Sequence, residues 1–421
     1  MLNVDQALET ILSHVSVMDV EERPLLRCLG QTLAEDIIAD INVPDWDSSA
    51  LDGYAAIAED TKGSSPENPR ILRVVGTIVA GDRPGGKIEG STAVRIMTGA
   101  PVPEGADCVV KFEDTDEAER RGNNSGRIPE VIGIRQEEKA GGNIRRAGIN
   151  IDKGTLGLPE SMPIGPAEIN LVASLGHSRM KVIRRPVIAI IATGEELVSL
   201  GKMLSAGKVY NGNIYSIAAQ VQRCGGIPRL LGIARDNRSS LMAKIRRGME
   251  ADAIITIGGV SMGDYDLVKD VLSDVGEIVF WKVRMAPGKS FAFGLLHKRN
   301  RNDEVENIPH FALTGNPTAA MINFEVLVQP AILKMLGRTG QSMPIFEAFM
   351  EEPIENKKSA RLFVWVKIEE HNGLHYARLS SSRDTGILPS IASANGLAIV
   401  PEEKTHIEKG DKLRVMMLNW H

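Results

Sequence analysis

Cysteine is scarce in this 421-residue chain: Cys28, Cys108 and Cys224 are odd in number, widely spaced and without a CxxC pair. That excludes a disulfide framework and a local zinc motif, and leaves each thiol as a small buried hydrophobe. Aromatic residues make up only 4%, so the cores must be built from aliphatic side chains and methionine. No run approaches the ~18 apolar residues that span a bilayer, and the first residues show no basic segment leading into an apolar one. The expectation is a cytoplasmic chain with no membrane partner. Surplus positive charge is also missing. Lys and Arg number 49 against 54 Asp and Glu, a net charge of -5, and the pI is near 6.0. A nucleic-acid partner is therefore not expected.

What is present is globular: 43% hydrophobic and 24% charged residues, in a chain long enough for several domains. Val4, Ala7, Leu8, Ile11, Leu12 and Val15 share one helical face, and Asn3 with Gln6 forms a capping-box start. Pro24 is expected to open a second helix through Leu25, Leu26, Leu29 and Leu33, so that the first 40 residues read as helical. From Val43 to Glu138 short β-branched runs alternate with turn residues, among them Gly122-Asn123-Asn124-Ser125-Gly126, and predict a small β module. Residues 141–180 return to helix and connector character. Between Arg185 and Arg338 strands and helices alternate: Val187–Ala192, Asn213–Cys224, Ile227–Ile233, Ser239–Met249, Ala253–Ile257, Asp266–Val275 and Ile278–Lys282. This spacing predicts a doubly wound, mainly parallel sheet. Runs at Leu362–Ile368, His375–Leu379, Leu397–Val400 and Lys412–Met417 predict a small C-terminal β barrel or sandwich. The expected domains are 1–42 with 141–180, an inserted 43–140, 181–338, and 339–421.

Ligands of an open parallel sheet bind outside the carboxyl ends of its strands. Four segments belong there: Thr193-Gly194-Glu195-Glu196-Leu197, Gly258 to Asp266, Ala286-Pro287-Gly288-Lys289-Ser290 and Thr314-Gly315-Asn316-Pro317. Glycines let backbone amides approach anionic oxygens, and a helix start adds a positive dipole end. Glu196, Asp264 and Asp266 offer the hard oxygens that magnesium takes, while Lys289 suits a phosphate or oxyanion. Each signal also has a plain structural reading. Gly258-Gly259 can be a tight turn, Glu195-Glu196 and the two aspartates helix starts, and Lys289 a solvated cation. Val283 stands where a P-loop needs its first glycine, and Gly258-Gly259…Gly263 is not GxGxxG. Two polar loops lie outside this domain, Ser49-Ala50-Leu51-Asp52-Gly53-Tyr54 and Arg95-Ile96-Met97-Thr98-Gly99-Ala100-Pro101.

In this order, Ser49–Ala55, Arg95–Pro103, Gly142–Gly148, Thr193–Leu197, Gly258–Lys269, Pro287–Gly294 and Leu313–Pro317 resemble the molybdopterin molybdenumtransferase family (MoeA and the E domain of gephyrin) along essentially the whole chain. Asp384–Pro401 is similar to that family's C-terminal signature. The resemblance implies an α/β multidomain fold with a molybdopterin-binding type sheet domain. It implies a homodimer whose active site is shared between subunits, and the molybdopterin adenylyltransferase as a further partner. The implied reaction takes molybdate and adenylylated molybdopterin, with Mg2+, to molybdenum cofactor and AMP. By motif, Asp52, Thr98 and Arg145 would come from the partner subunit; Glu196, Asp236, Asp264, Lys282 and Lys289 would line the site from the sheet domain. Thr193, Gly194, Gly258, Gly259, Ser261, Gly288, Gly315, Asn316, Pro317 and Ser390 would bind substrate, and Glu196, Asp264 and Asp266 the metal. A non-catalytic scaffold and a tungstate-inserting enzyme are the alternatives within the same resemblance. Asn150, Ala286 and Thr314 depart from the family pattern. Ala286 replaces a basic residue, which predicts weaker anion binding unless Arg284 supplies the charge.

Overall fold

The computed structural model describes residues 1–82, 87–122, 128–259, 271–299, 303–338, 344–380 and 387–418. These form two compact units, one of Met1–Ala34 with Met180–His421 and one of Glu35–Arg179.

The first unit opens with α1 (Val4–Ser13), whose Asn3 side chain accepts from the Gln6 amide while Gln6 reaches back to the Asn3 amide. Its centre is a six-stranded sheet: β1 (Val187–Thr193), β2 (Ile227–Ala234), β3 (Ala253–Ile257), β4 (Gly276–Trp281), β5 (Ala292–Arg299) and β6 (Val305–Leu313), in the order β2-β1-β3-β6-β5-β4. The β1 and β3 strands are aliphatic apart from Thr193 and Thr256, and every β3 residue is buried. Ile188, Ile190 and Ala192 face one core with Ile217 and Val221 of α2 (Asn213–Cys224). Ala189 and Ile191 face the other with Leu241 and Ile245 of α3 (Arg238–Gly248). Helices on both faces leave no wet side, so these strands need no polar alternation.

Strands β2, β1, β3 and β6 are parallel, as the alternation predicts. The last part of the sheet is different: β5 runs antiparallel to both β6 and β4. Only residues 300–304 separate β5 from β6, too few for a parallel crossover, so the chain must reverse direction. Of the expected helix Asp266–Val275, residues up to Asp270 lie outside the described residues, as do Asn123–Gly126 of the expected turn.

Thr314–Asn316 leads into α4 (Pro317–Asn323), which continues through a π turn at Phe324–Val328 into the helix Gln329–Met335. The π turn buries Glu325, whose side chain is fully inaccessible. Both of its oxygens accept from Arg223 at 2.6 Å, and Gln220 donates to one at 2.5 Å. The network ties this helix to α2. A closed barrel follows, of β7 (Ile345–Met350), β8 (Arg361–His371), β9 (Leu374–Leu379), β10 (Gly396–Val400) and β11 (Lys412–Met417), with β8 pairing with both β9 and β10.

The second predicted helix does not form. Val20–Pro24 is a strand in a sheet with Arg179–Ile183 and Thr32–Leu33, joined by a 3-10 turn at Leu25–Arg27. Leu26 and Leu29 are exposed while Leu33 is buried, so the leucines that imitate a helical stripe do not share one buried face. Pro24 closes a strand here, where its missing N–H costs no ladder bond.

The second unit is built on a five-stranded sheet in the order Cys108–Lys111, Gly53–Ala56, Thr92–Ile96, Arg70–Ile78, Val131–Ile134. Gly53 is required there, because a Cβ would sit 2.1 Å from the Val110 carbonyl oxygen.

Removing one partner of a buried ion pair strands the other. Glu325→Ala is expected to lower the unfolding free energy by about 3–5 kcal/mol, read by urea denaturation. A loss below about 1 kcal/mol would show that the network is a surface-type pair.

Candidate functional site

Strand pairing fixes where the loops go. Thr193 pairs with Ala234, Ala192 with Ile257, Ile257 with Leu313, Ala312 with Ala292, and Ala292 with Trp281. Thr193–Leu197, Asp236, Gly258-Gly259, the Lys282–Phe291 segment and Thr314–Pro317 therefore all leave the sheet at one edge. Because β5 is antiparallel, the segment before it reaches the same edge as the segments that follow the parallel strands.

The glycines of this edge are close-packed. Gly258, at φ +93°, would carry a Cβ only 2.7 Å from the Thr193 carbonyl oxygen. The Thr193 hydroxyl donates to the Ile257 carbonyl at 3.3 Å, and the Asn213 amide donates to the Gly315 carbonyl at 2.7 Å. Asn316 caps α4, its side chain accepting from the Ala319 amide, with Pro317 in the first turn. Asn316 takes the Ala319 and Ala320 amides with its side chain and carbonyl and Pro317 has no N–H, so this helix start offers an anion its positive dipole end.

Glu196 and Asp236 are exposed on this edge. The Glu195 amide donates to Asp236 Oδ2 at 3.1 Å, and the Asp236 amide donates to Glu195 Oε1 at 3.2 Å. Lys208 donates to the Glu195 carbonyl at 2.7 Å. Glu196 is held through its backbone, whose carbonyl accepts from Val209 at 2.9 Å. Ser261, Asp264 and Asp266 lie outside the described residues. Among the described residues no group of three or more His, Cys, Asp or Glu is placed to hold a metal ion.

Lys289 lies in a cleft of about 1020 Å³ between the sheet edge and the barrel. Arg284, Ala286, Gly288 and Asn316 line it from one side, Lys358 and Ser359 from the other. Met285-Ala286 pairs with Arg361-Leu362 of β8, which locks the loop to the barrel. Fully buried Asn323 donates to the Gly288 carbonyl at 2.9 Å. Gly288, at φ +98°, leaves no room for a Cβ, which would lie 2.7 Å from the Asn323 amide nitrogen. Amides at 283 and 291 both donate to the Lys289 carbonyl at 3.1 Å. Ala286 itself is buried, whereas Arg284 and Lys358 are exposed cations on the cleft wall. Lys358 gives no signal in the sequence, since only folding brings it beside Lys289. Lys282, half-buried at φ +72°, and Ser390, buried in the short helix Leu388–Ser393, are not among the residues lining this cleft.

In the second unit three loops converge on Ser48-Ser49. Ile144-Arg145 pairs with them antiparallel, Ser49 donates to the Ala100 carbonyl, and Gly99 donates to the Ser49 carbonyl, both at 2.9 Å. Asp52 accepts from the Thr98 amide at 2.7 Å and from the Thr98 hydroxyl at 2.8 Å. These two bonds, the amide first, with the positive charge of Arg95 adding, hold the Asp52 carboxyl below its ordinary value. Arg145 is exposed beside this loop pair. An ionised carboxylate and a guanidinium are thus presented on one rigid patch.

The N-terminal portion of the chain, residues 2–176, matches the MoeA N-terminal region (domain I and II). Residues 189–334 match a probable molybdopterin binding domain, and residues 347–418 the MoeA C-terminal region (domain IV). The chain is 34% identical over 401 residues to molybdopterin molybdenumtransferase 2 of Mycobacterium tuberculosis, covering 93% of each. It is 32% identical to the molybdopterin molybdenumtransferase of Bacillus subtilis, covering 99% of this chain and 94% of the relative. A molybdopterin biosynthesis MoeA protein from Pyrococcus horikosii has the same fold, with TM-score 0.83, 30% identity and 99% of each chain covered.

The Asp52 account predicts a measurable shift. Thr98→Val removes the hydroxyl donor and keeps the amide, so the Asp52 carboxyl should titrate at a higher pH, towards its ordinary value. A depressed carboxyl stabilises the fold above its unfolded pKa and loses that contribution as pH falls through the folded value; removing a donor narrows this window. Side-chain NMR titration that finds Asp52 unmoved in Thr98→Val would refute the assignment.

Proposed function

The chain belongs to the MoeA family of molybdopterin molybdenumtransferases, and from that membership we propose that it inserts molybdenum from molybdate into adenylylated molybdopterin, with Mg2+, releasing AMP. It is a transferase of molybdenum cofactor biosynthesis. The observation that carries the substrate assignment is the cleft in which Lys289, Arg284 and Lys358 meet the Gly288 backbone and the start of α4. Three cations and a helix dipole end suit a tetrahedral dianion, and charge-assisted hydrogen bonds are the strong ones. Arg284 supplies the charge that Ala286 lacks.

The donor set at the edge fits magnesium, which needs one or two carboxylates and completes its shell with phosphate and water. Glu196 would hold it, together with Asp264 and Asp266 of the sequence. Bound there, it would supply Lewis-acid stabilisation of the negative charge on the pyrophosphate. The chain's own work is positioning: glycine amides at 258–259 and 315 approach phosphate oxygens, and Lys289 and Arg284 orient molybdate until the dithiolene sulfurs displace its oxygens. No covalent enzyme nucleophile is required.

Each unit holds part of the charge that the reaction needs, carboxylates and lysines on one, Asp52, Thr98 and Arg145 on the other. We assign the complete site to a homodimer, in which the second unit of one subunit serves the sheet edge of its partner. By sequence we divide the chain into 1–42 with 141–180, 43–140, 181–338 and 339–421, a finer division than the two compact units, in which Met1–Ala34 clusters with Met180–His421. The molybdopterin adenylyltransferase, whose product is consumed here, is the further partner. No described helix is long and apolar enough to cross a membrane, in keeping with a cytoplasmic enzyme.

Incubation with adenylylated molybdopterin, magnesium and molybdate should release AMP and leave molybdenum on the pterin. Glu196→Gln should slow AMP release about 100-fold with the fold intact by circular dichroism; a wild-type rate in that variant would remove Glu196 from the site. Mixing Asp52→Ala with Glu196→Gln chains should restore activity. Random exchange gives one intact site in half the dimers, about a quarter of wild-type activity. Absence of recovery after verified exchange would exclude the shared site.

A further inference from the structure

Where β1 and β2 end, their backbone ladder stops. Thr193 pairs with Ala234 as the last residues in register, and the next contact, the Gly194 amide to the Ala234 carbonyl, is long at 3.4 Å. Beyond it two side chains take over the pairing. Glu195 Oε1 accepts the Asp236 amide and Asp236 Oδ2 accepts the Glu195 amide, at 3.2 and 3.1 Å. The two loops are thus clasped reciprocally, each carboxylate replacing the carbonyl that a continued ladder would have offered.

Apart from the clasp, one bond shapes the backbone at Asp236: the Asn237 amide donates to the Arg235 carbonyl at 2.7 Å, within the loop and not across to the sheet. Asp236 is exposed, and Arg235 and Asn237 beside it are exposed as well. Asn237 is spent on capping α3, its side chain accepting from the Ser240 amide. The Arg235 amide donates to the Ser240 hydroxyl at 3.1 Å, which holds the loop to its helix but not to the sheet. Glu195, in contrast, is anchored: Lys208 donates to its carbonyl, and the following residue is bonded through the Val209 amide. The firm partner therefore orients the loose one. Among the described residues the clasp occupies only one oxygen of Asp236, Oδ2.

We propose that Glu195 is a positioning residue: its carboxylate accepts the Asp236 amide and so seats the backbone from which the Asp236 side chain projects at the sheet edge, and its negative charge is not what the reaction uses. The proposal deepens the reading given above and rests on it for the role of Asp236. It has a sharp consequence. A glutamine at 195 keeps an acceptor oxygen at the same reach and loses the charge, whereas an alanine loses both.

The test uses the full-length protein. With adenylylated molybdopterin, magnesium and molybdate, Glu195→Ala should lower kcat by about tenfold to a hundredfold, the scale of a small misplacement, with KM little changed. Glu195→Gln should stay within about twofold of wild type, and Glu195→Asp, one methylene short, should resemble the alanine variant. A second readout needs no turnover: amide hydrogen exchange at Asp236 should be slow in wild type and Glu195→Gln and fast in Glu195→Ala. Equal loss of activity in the glutamine and alanine variants would overturn the proposal, because the charge would then matter. Equal Asp236 exchange in wild type and Glu195→Ala would overturn it too. A wild-type protein inert towards adenylylated molybdopterin, with the exchange pattern as expected, would instead strike at the functional reading and leave the clasp established.

Discussion

Burial of β1 and β3 on both faces is the constraint from which the site follows. Such strands cannot slip by a residue without exchanging their Ile188–Ile190 and Ala189–Ile191 faces between two different cores. Once the parallel register is set, Thr193, Ala234, Ile257 and Leu313 end together, and the loops that follow them have one edge to occupy. The glycine at 258 is then required by proximity, since a Cβ there would lie 2.7 Å from the Thr193 carbonyl oxygen of the adjacent strand.

The cleft that holds Lys289 depends on a second constraint, the seating of the Ala286–Ser290 loop. It is held on one side by pairing with β8 of the barrel and on the other by the Asn323 amide. Asn323 reaches it from the last turn of α4, directly before the π turn that buries Glu325 against α2. One helix therefore serves both the cleft and the core: its start lies at the sheet edge, its middle fixes the glycine next to Lys289, and its π turn is secured by Arg223. Loss of packing around Glu325 should be felt at the cleft as well as in stability.

Local patterning made much of this legible. Asn213–Cys224, Ala253–Ile257, Cys108–Lys111 and Lys412–Met417 form with the bounds that periodicity and turn residues predict, because each is a strongly periodic or wholly apolar run. Strand direction was not legible, since a buried β5 reads the same whether parallel or antiparallel. Nor was the segment after Pro24, where leucines at helical spacing divide between surface, at Leu26 and Leu29, and core, at Leu33. At the candidate site, the glycine-rich loops and acidic residues could be picked out by residue type, and the sheet brings the described ones to one edge. What could not be read were long-range pairings: Lys358 beside Lys289, Asn323 against Gly288, and the Glu195–Asp236 clasp. Each joins residues whose separation along the chain carries no periodic signal, and only the closing of the sheet and barrel brings them together.

The central claim is that the cleft between sheet edge and barrel receives the oxyanion. A crystal of the protein soaked in molybdate, recorded at the molybdenum absorption edge, locates the metal directly by its anomalous scattering. The account predicts a single strong peak within hydrogen-bonding reach of Lys289, Arg284 and the Gly288 backbone. A peak confined to the other large cavity, lined by Asp5, Glu347 and Lys412, with none beside Lys289, would contradict it.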